Sequence, residues 1–209
     1  MTTQIDSIKL ARLIEREEIF DLVRMERFYR DQRDFARMIA CYVPKAPVRT
    51  TWFDGTVEEF AEASRRKMSG QGASAAKHWI FPTALQLNGA RGLIESPAAI
   101  FDRLTFDGVE FDSFQYCRFV SRLLRTEAGW RLGSFEGIYQ RDHLRSVNPA
   151  EPLPVDWAVI ATLRPSYKFL AYTQLRRGYN VDPELFGDDR PDLLAAFYAR
   201  EQAWLAGGA

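Results

Sequence analysis

The chain has 209 residues, with 28 basic and 28 acidic side chains and therefore no formal net charge at pH 7. Hydrophobic residues make up 46% of the chain and charged residues 27%, which are ordinary globular values and exclude a mainly disordered protein. A balanced charge provides no general attraction for nucleic acid or for an anionic membrane, so neither partner is expected. The charged N-terminal segment is unlike a secretory leader, and a soluble cytoplasmic protein is therefore expected.

The sequence contains none of the common cofactor or metal motifs. Its two cysteines, Cys41 and Cys117, form no CxxC pair. Clustered Cys and His ligands, a glycine-rich nucleotide loop and a Gly-x-Ser-x-Gly elbow are also missing. We therefore expect no cofactor and no metal.

The first 43 residues predict two or three helices that share one apolar face. Asp6-Ser7 is a typical helix cap, and apolar residues follow it at helical spacing: Leu10, Leu13 and Ile14. Asp31 or Arg33-Asp34 predicts a second capped start, before the helical pattern of FARMIACYV. Pro44 ends this pattern.

A short β-rich run, VRTTWFDGTV, follows at residues 48–57, and Asp54-Gly55 predicts a turn within it. Thr56 and Glu59 have the spacing of a capping box for the next helix, VEEFAEASRRKM. The small residues of SGQGASAAK, at residues 69–77, predict a loop.

From residue 77 the hydrophobic period becomes two, which indicates strands. The segments are KHWIFPTALQL, ARGLIES, VEFDSFQYCRFVSRLLRTE and GWRLGSFEGIYQRDHL. Asn88-Gly89, the Pro97 region and Ala128-Gly129 are expected to separate them. Helices followed by long antiparallel strands predict an α+β fold, in which the N-terminal helices pack on one face of a curved sheet.

After Asn148 the pattern becomes helical again, beyond the proline-rich linker PAEPLP. Gly178 is expected to end one helix, and Asp189-Arg190-Pro191 to begin the last one. We interpret residues 1–148 as an α+β domain and residues 149–209 as a helical extension. The extension is rich in aromatic residues, so it is expected to pack on the domain or on a partner subunit.

The chain has only two histidines, and each can be considered as a base. His143 lies among charged residues, where a solvated surface position is expected. His78 opens an apolar strand, a position typical of a structural histidine. It becomes a candidate general base if Asp31 faces inward and accepts its Nδ1 hydrogen, leaving Nε2 free. The alternative role for Asp31 is a helix cap.

The segment REEIFDLVRMERFYRDQRDFARMIACYVPKA resembles the opening helices of the SnoaL-like group in the nuclear transport factor 2-like superfamily. The residues at the positions of that opening pattern are Arg16, Ile19, Leu22 and Asp31. His78 follows Asp31 by 47 residues (78 − 31), similar to the spacing in the catalytic members, and its strand reads HWIFPTALQLNG. Trp130 in AGWRL also matches. The resemblance covers about residues 7–146.

The resemblance implies a cone-shaped antiparallel sheet with a hydrophobic pocket, and a catalytic pair formed by Asp31 and His78. Glu26 stands where the family's enzymes carry Lys or Tyr, and it is expected to contact the substrate. The other residues expected at the pocket wall or near the leaving group are Tyr29, Trp52, Phe81, Tyr116, Phe135, Tyr139 and Arg141.

Catalytic members of the group include dehydratases and a dehydrochlorinase. The resemblance therefore implies a cofactor-independent lyase that catalyses a dehydratase-like elimination on a hydrophobic, ring-containing small molecule. Two alternatives stay open at this point. One is an isomerase with the same base, and the other is a non-catalytic binding or assembly protein of the same fold. A homo-oligomer, either a dimer or a trimer, is also expected.

Overall fold

The computed structural model describes residues 6–69 and 76–208. Its first part contains two helices, α1 (Ser7–Asp31) and α2 (Phe35–Ala40). Asp6 caps α1, because its carboxylate accepts hydrogen bonds from the backbone N–H groups of Ile8 and Lys9. Asp34 caps α2 in the same way, so the predicted helix starts are confirmed.

The shared apolar face predicted for these helices is wrong for the first turns of α1. Leu13 is 63% exposed, and Leu10 and Ile14 are exposed as well. The reason is that α1 reaches the sheet only from Glu15 onward, where the Glu15 carboxylate accepts a hydrogen bond from Trp130 Nε1 at 3.2 Å. The buried face begins at Ile19.

The next elements are β1 (Pro47–Thr50), β2 (Phe53–Thr56) and α3 (Val57–Lys67). The turn predicted at Asp54-Gly55 is wrong, since the hairpin turns at residues 51–52 and both residues lie in β2. Gly55 is needed for close packing there: a Cβ would lie 2.8 Å from Glu59 Oε2. The capping box of Thr56 and Glu59 is confirmed. The centre of the predicted loop, at 70–75, lies outside the described residues.

Six further strands build the sheet, namely β3 (Lys77–Ile80), β4 (Ala84–Asn88), β5 (Arg91–Phe106), β6 (Val109–Thr126), β7 (Gly129–Leu132) and β8 (Phe135–Ser146). The main order is β2-β1-β8-β6-β5-β3. Neighbours along this path are antiparallel except β1 and β8, which pair in parallel. The curved sheet and the packed helices confirm the predicted α+β class.

The strand break predicted at Pro97 is wrong, because β5 continues through it and pairs with β6 at Arg118. β3 ends opposite Ala98, and β4 begins opposite Glu95. Pro97 therefore faces the gap between these two short strands, where its missing N–H group removes no bond from a ladder. Turns also lie next to the other two predicted positions, each displaced by one residue. One is at 89–90, after Asn88 ends β4, and the other is at 127–128, before Gly129 begins β7.

The C-terminal extension contains α4 (Trp157–Ile160), α5 (Lys168–Arg176), β9 (Phe186–Gly187) and α6 (Pro191–Leu205). β9 pairs with β8, and Phe197 of α6 packs against Val120 and Ile138 on the outer face of the sheet. At the opposite side, Asp142 of β8 accepts a hydrogen bond from the N–H of Leu170 in α5 at 2.7 Å. The extension thus contacts both faces of the sheet.

None of the helices in residues 6–69 and 76–208 combines the length and hydropathy that a membrane span requires.

Candidate active site

Asp31 and His78 are brought together by the end of α1 and the start of β3. The Asp31 carboxylate accepts the backbone N–H of His78 at 2.7 Å, and its other oxygen lies 2.8 Å from His78 Nδ1. Lys77 Nζ donates to the Asp31 carbonyl at 2.6 Å, and Arg30 lies 3.2 Å from the Asp31 carboxylate. These bonds fix the carboxylate and set the ring orientation of the histidine.

Burial and charge determine the protonation of this pair. Burial by itself raises the pKa of Asp31. Two opposing effects outweigh burial and lower that pKa to about 2: the hydrogen bond and charge of His78, and the charges of Arg30 and Arg27. Burial lowers the pKa of His78 to about 4, and it outweighs the opposing effect of Asp31. Asp31 is therefore ionised at neutral pH, and His78 is a neutral imidazole that carries its hydrogen on Nδ1.

His78 Nε2 is available for chemistry, since none of the described residues forms a hydrogen bond with it. The histidine side chain is 6% exposed, and its ring lies 6.1 Å from that of Phe119. Both residues line an enclosed pocket between α1, α3, α5 and the inner face of the sheet. About 60 Å³ of it is open to the centre of a water molecule. This is several times the roughly 10–15 Å³ that one water needs.

Four basic side chains line this pocket, and the sequence interpretation missed all of them: Arg27, Arg30, Lys67 and Arg177. Three have a carboxylate partner. Arg27 binds Glu26 at 2.9 Å, Arg30 binds Asp31, and Arg177 lies 3.6 Å from Asp102. Arg27 also stacks over Phe135, with 4.4 Å between the guanidinium carbon and the ring centre.

Of the residues expected on the pocket wall, Trp52, Phe135 and Tyr139 line the enclosed pocket. The Tyr139 hydroxyl accepts a hydrogen bond from the N–H of Thr51 at 3.1 Å, so its own hydrogen is free to point elsewhere. Phe81 lines a more open groove on the outer side of Asp31 and His78, together with Phe28 and Trp79.

Four other expected residues lie away from this pocket. Tyr116 faces the outer side of β6, where the Arg141 guanidinium stacks on its ring at 4.7 Å. Tyr29 lies in a different surface groove, beside Cys41 and Trp130. Glu26 is buried, and its carboxylate is occupied by Arg27 and by the hydroxyl of Tyr42 at 3.0 Å.

The C-terminal extension supplies part of the pocket wall. Leu170, Thr173, Gln174 and Arg177 line the pocket, and the first three belong to α5. The pocket is therefore formed by the domain and the extension together.

Comparison with known proteins agrees with this architecture. The SnoaL-like domain family matches residues 11–136, which is more than half of the chain. The chain belongs to the SnoaL-like family. This SnoaL-like protein has the nuclear transport factor 2-like fold. It is 30% identical over 171 residues to pea pathogenicity protein 2 of the fungus Fusarium vanettenii, with 81% of this chain and 71% of that protein covered.

Two solved structures illustrate the shared fold of this SnoaL-like protein. One, from Novosphingobium aromaticivorans, is assigned as a scytalone dehydratase; it is 15% identical, with a TM-score of 0.50 over 69% of this chain and 97% of that one. The other is a type 2 hexachlorocyclohexane dehydrochlorinase, 15% identical, with a TM-score of 0.51 over 70% of this chain and 99% of that one. At identities this low, the structural similarity shows a common fold alone.

Proposed function

We propose that this SnoaL-like protein is a cofactor-independent lyase that removes water from a hydrophobic, ring-containing small molecule, with His78 as the general base. The observation that carries the proposal is the orientation of His78. Its Nδ1 faces the Asp31 carboxylate at 2.8 Å, so the unprotonated nitrogen is Nε2 of a residue that lines the enclosed pocket. A neutral imidazole held in one tautomer has the lone pair of Nε2 available for a proton.

The reaction proposed is an elimination next to a carbonyl group. Nε2 of His78 removes a carbon-bound proton, and the electron pair of the C–H bond moves onto the carbonyl oxygen as an enolate. The enolate then re-forms the carbonyl and a conjugated double bond, and the hydroxyl on the neighbouring carbon departs. The imidazolium returns the proton to this hydroxyl, so the products are an unsaturated ketone and one water.

Asp31 and Tyr139 have separate roles in this proposal. The negative charge of Asp31 stabilises the imidazolium that forms during the reaction. Of the tyrosines expected at the pocket wall or near the leaving group, Tyr139 is the one that lines the enclosed pocket. Its O–H is proposed to assist the departing hydroxyl. General acid–base catalysis supplies about 10²–10⁴-fold, and the basic side chains that line the pocket add electrostatic stabilisation to it.

The test uses a panel of cyclic β-hydroxy ketones with attached aromatic rings. Formation of the conjugated double bond is followed by ultraviolet absorbance, and loss of one water is followed by mass spectrometry. Wild type is expected to convert at least one member, and His78→Gln to lose that activity while keeping its melting temperature. His143→Gln is the matched control, since His143 stacks on Phe114 on the outer face of the sheet.

The other outcomes separate the alternatives. A product of unchanged mass, formed only when His78 is present, would indicate an isomerase. Binding without turnover would indicate a non-catalytic protein. Equal rates for wild type and His78→Gln would overturn the assignment of His78 as the base.

A further inference from the structure

Lys67 lies at the end of α3, and its side-chain nitrogen lines the enclosed pocket. Nζ lies 3.9 Å from the ring centre of Trp52 and 4.5 Å from that of Tyr179. It donates a hydrogen bond to Gln174 Oε1 at 3.3 Å. Two aromatic faces and one neutral acceptor thus position this nitrogen.

Lys67 differs from the other cations of the pocket in its partners. Arg27, Arg30 and Arg177 each lie close to a carboxylate, whereas Lys67 forms no ion pair within the part of the chain that the structure describes. The nitrogen carries two hydrogens as a neutral amine and three when protonated, and Gln174 accepts one of them. The remaining hydrogens are available to a molecule bound in the pocket.

We propose that Lys67 is a further catalytic residue, whose N–H groups bind the substrate oxygen that gains negative charge when His78 removes the proton. This inference rests on the proposed function, and it specifies the substrate: a ring that carries a carbonyl oxygen, whose enolate resembles a phenolate. His78 and Lys67 line the same pocket. The ring of such a substrate would lie among Trp52, Phe119 and Phe135, with its oxygen towards α3.

The electrostatics of the pocket fit this role. Burial, together with the nearby charges of Arg177 and Arg30, lowers the pKa of Lys67 to about 6, and it outweighs the opposing charge of Asp102. An oxyanion beside Nζ opposes these effects and raises the pKa of the amine, and N–H groups bind a charged oxygen more tightly than a neutral one. Lys67 therefore interacts more strongly with the enolate than with the neutral substrate, which is the condition for accelerating the chemical step.

The proposal also gives the C-terminal extension a part in the site. Gln174 of α5 and Tyr179, which follows it, both belong to the extension, and both contact the amine. The SnoaL-like match ends at residue 136. Lys67 thus depends for its position on residues beyond the matched domain.

The test measures the pKa of a phenol bound in the pocket. The probe is 4-nitrophenol, whose ionised form absorbs visible light, and it is titrated against wild type, Lys67→Met, Lys67→Gln and Arg66→Met over a range of pH. Arg66 is the matched control, because it lies on the exposed side of α3 and pairs with Glu62. Thermal melting of each variant establishes that it is folded.

For wild type and Arg66→Met we expect the pKa of the bound probe to be lower than that of the free probe by about 1–3. Lys67→Met and Lys67→Gln are expected to lose this decrease while remaining folded. An equal decrease in both Lys67 variants would overturn the proposal, and so would a failure of wild type to bind the probe.

Two combinations of results separate this inference from the proposed function. A normal probe response in a wild type that converts none of the hydroxy ketones would overturn the lyase and leave the Lys67 oxyanion site standing. Turnover that depends on His78, with an unchanged probe response in both Lys67 variants, would overturn the Lys67 role alone.

Discussion

The two ring nitrogens of His78 have different surroundings, and this asymmetry is the basis of the proposed chemistry. Nδ1 lies 2.8 Å from Asp31, whose other oxygen binds the backbone of the same histidine at 2.7 Å. The carboxylate therefore fixes both the position and the tautomer of the ring. A side chain so constrained loses little entropy when it takes up a proton in the transition state.

Asp31→Asn tests the charge of this contact at nearly constant shape. An asparagine still bonds to the histidine, but it does not stabilise an imidazolium and can favour the other tautomer. We expect kcat to fall by about 10²–10⁴. Steady-state kinetics on whichever hydroxy ketone wild type converts provide the measurement. Asp34→Asn, which removes a carboxylate at the start of α2, is the control and should keep kcat.

At the level of elements, α6 stabilises the outer face of the sheet without reaching the pocket. Phe197 packs against Val120, Ile138 and Phe186 in a cluster separate from the main core. Phe197→Ala leaves a cavity there, and we expect the free energy of unfolding to decrease by about 3–5 kcal/mol. Denaturant unfolding measures this loss. An unchanged unfolding free energy would mean that α6 contributes little to stability.

Truncation before Pro149 removes both the cover that α6 gives to the outer face of the sheet and the pocket wall that α5 provides. The outer face of the sheet would be exposed, and the pocket would lose the wall formed by α5. We expect a lower melting temperature, an increase in mass in solution through association, and weaker binding of 4-nitrophenol. A truncated protein with the same melting temperature, mass and probe affinity would show that the extension is dispensable.

The helix ends and the Asp31–His78 pair could be predicted from the sequence, the former from local signals and the latter from a family resemblance. Local signals identified Asp34 as a helix cap and Gly178, with its φ of +80°, as a helix end. The family-like spacing pointed to Asp31 and His78, which the structure places in contact. These features depend on short-range chemistry or on a known pattern.

Other features depend on long-range packing, which a single sequence does not display. The alternating pattern of β6 correctly places Tyr116 and Cys117 on opposite faces of the sheet. Both faces of this strand are covered, so the pattern did not show which of them faces the pocket. Lys67 occurs at i+7 from Phe60, on the buried face of α3. The one sequence signal that could have identified Lys67 was a basic residue on the apolar face of a helix.

For the whole molecule, the pH dependence of stability should reflect Glu136. Burial raises the pKa of this carboxyl to about 8. The folded protein therefore holds a proton that the unfolded chain loses above about 4.5, and this group lowers the free energy of unfolding as pH rises from about 5 to 8. Glu136→Gln should gain stability relative to wild type across this range. Denaturant unfolding at each pH is the measurement. If the unfolding free energies of Glu136→Gln and wild type differ by the same amount at every pH, the prediction is wrong.

The central claim is that His78 is a neutral base with a free Nε2, and nitrogen NMR of the histidine rings tests it most directly. Only two histidines contribute signals, and His143→Gln assigns them. We predict that His78 carries its hydrogen on Nδ1 and stays neutral until the pH falls towards its lowered pKa of about 4. A hydrogen on Nε2 at neutral pH, or a His78 pKa at or above the ordinary value of about 6.5, would contradict the account.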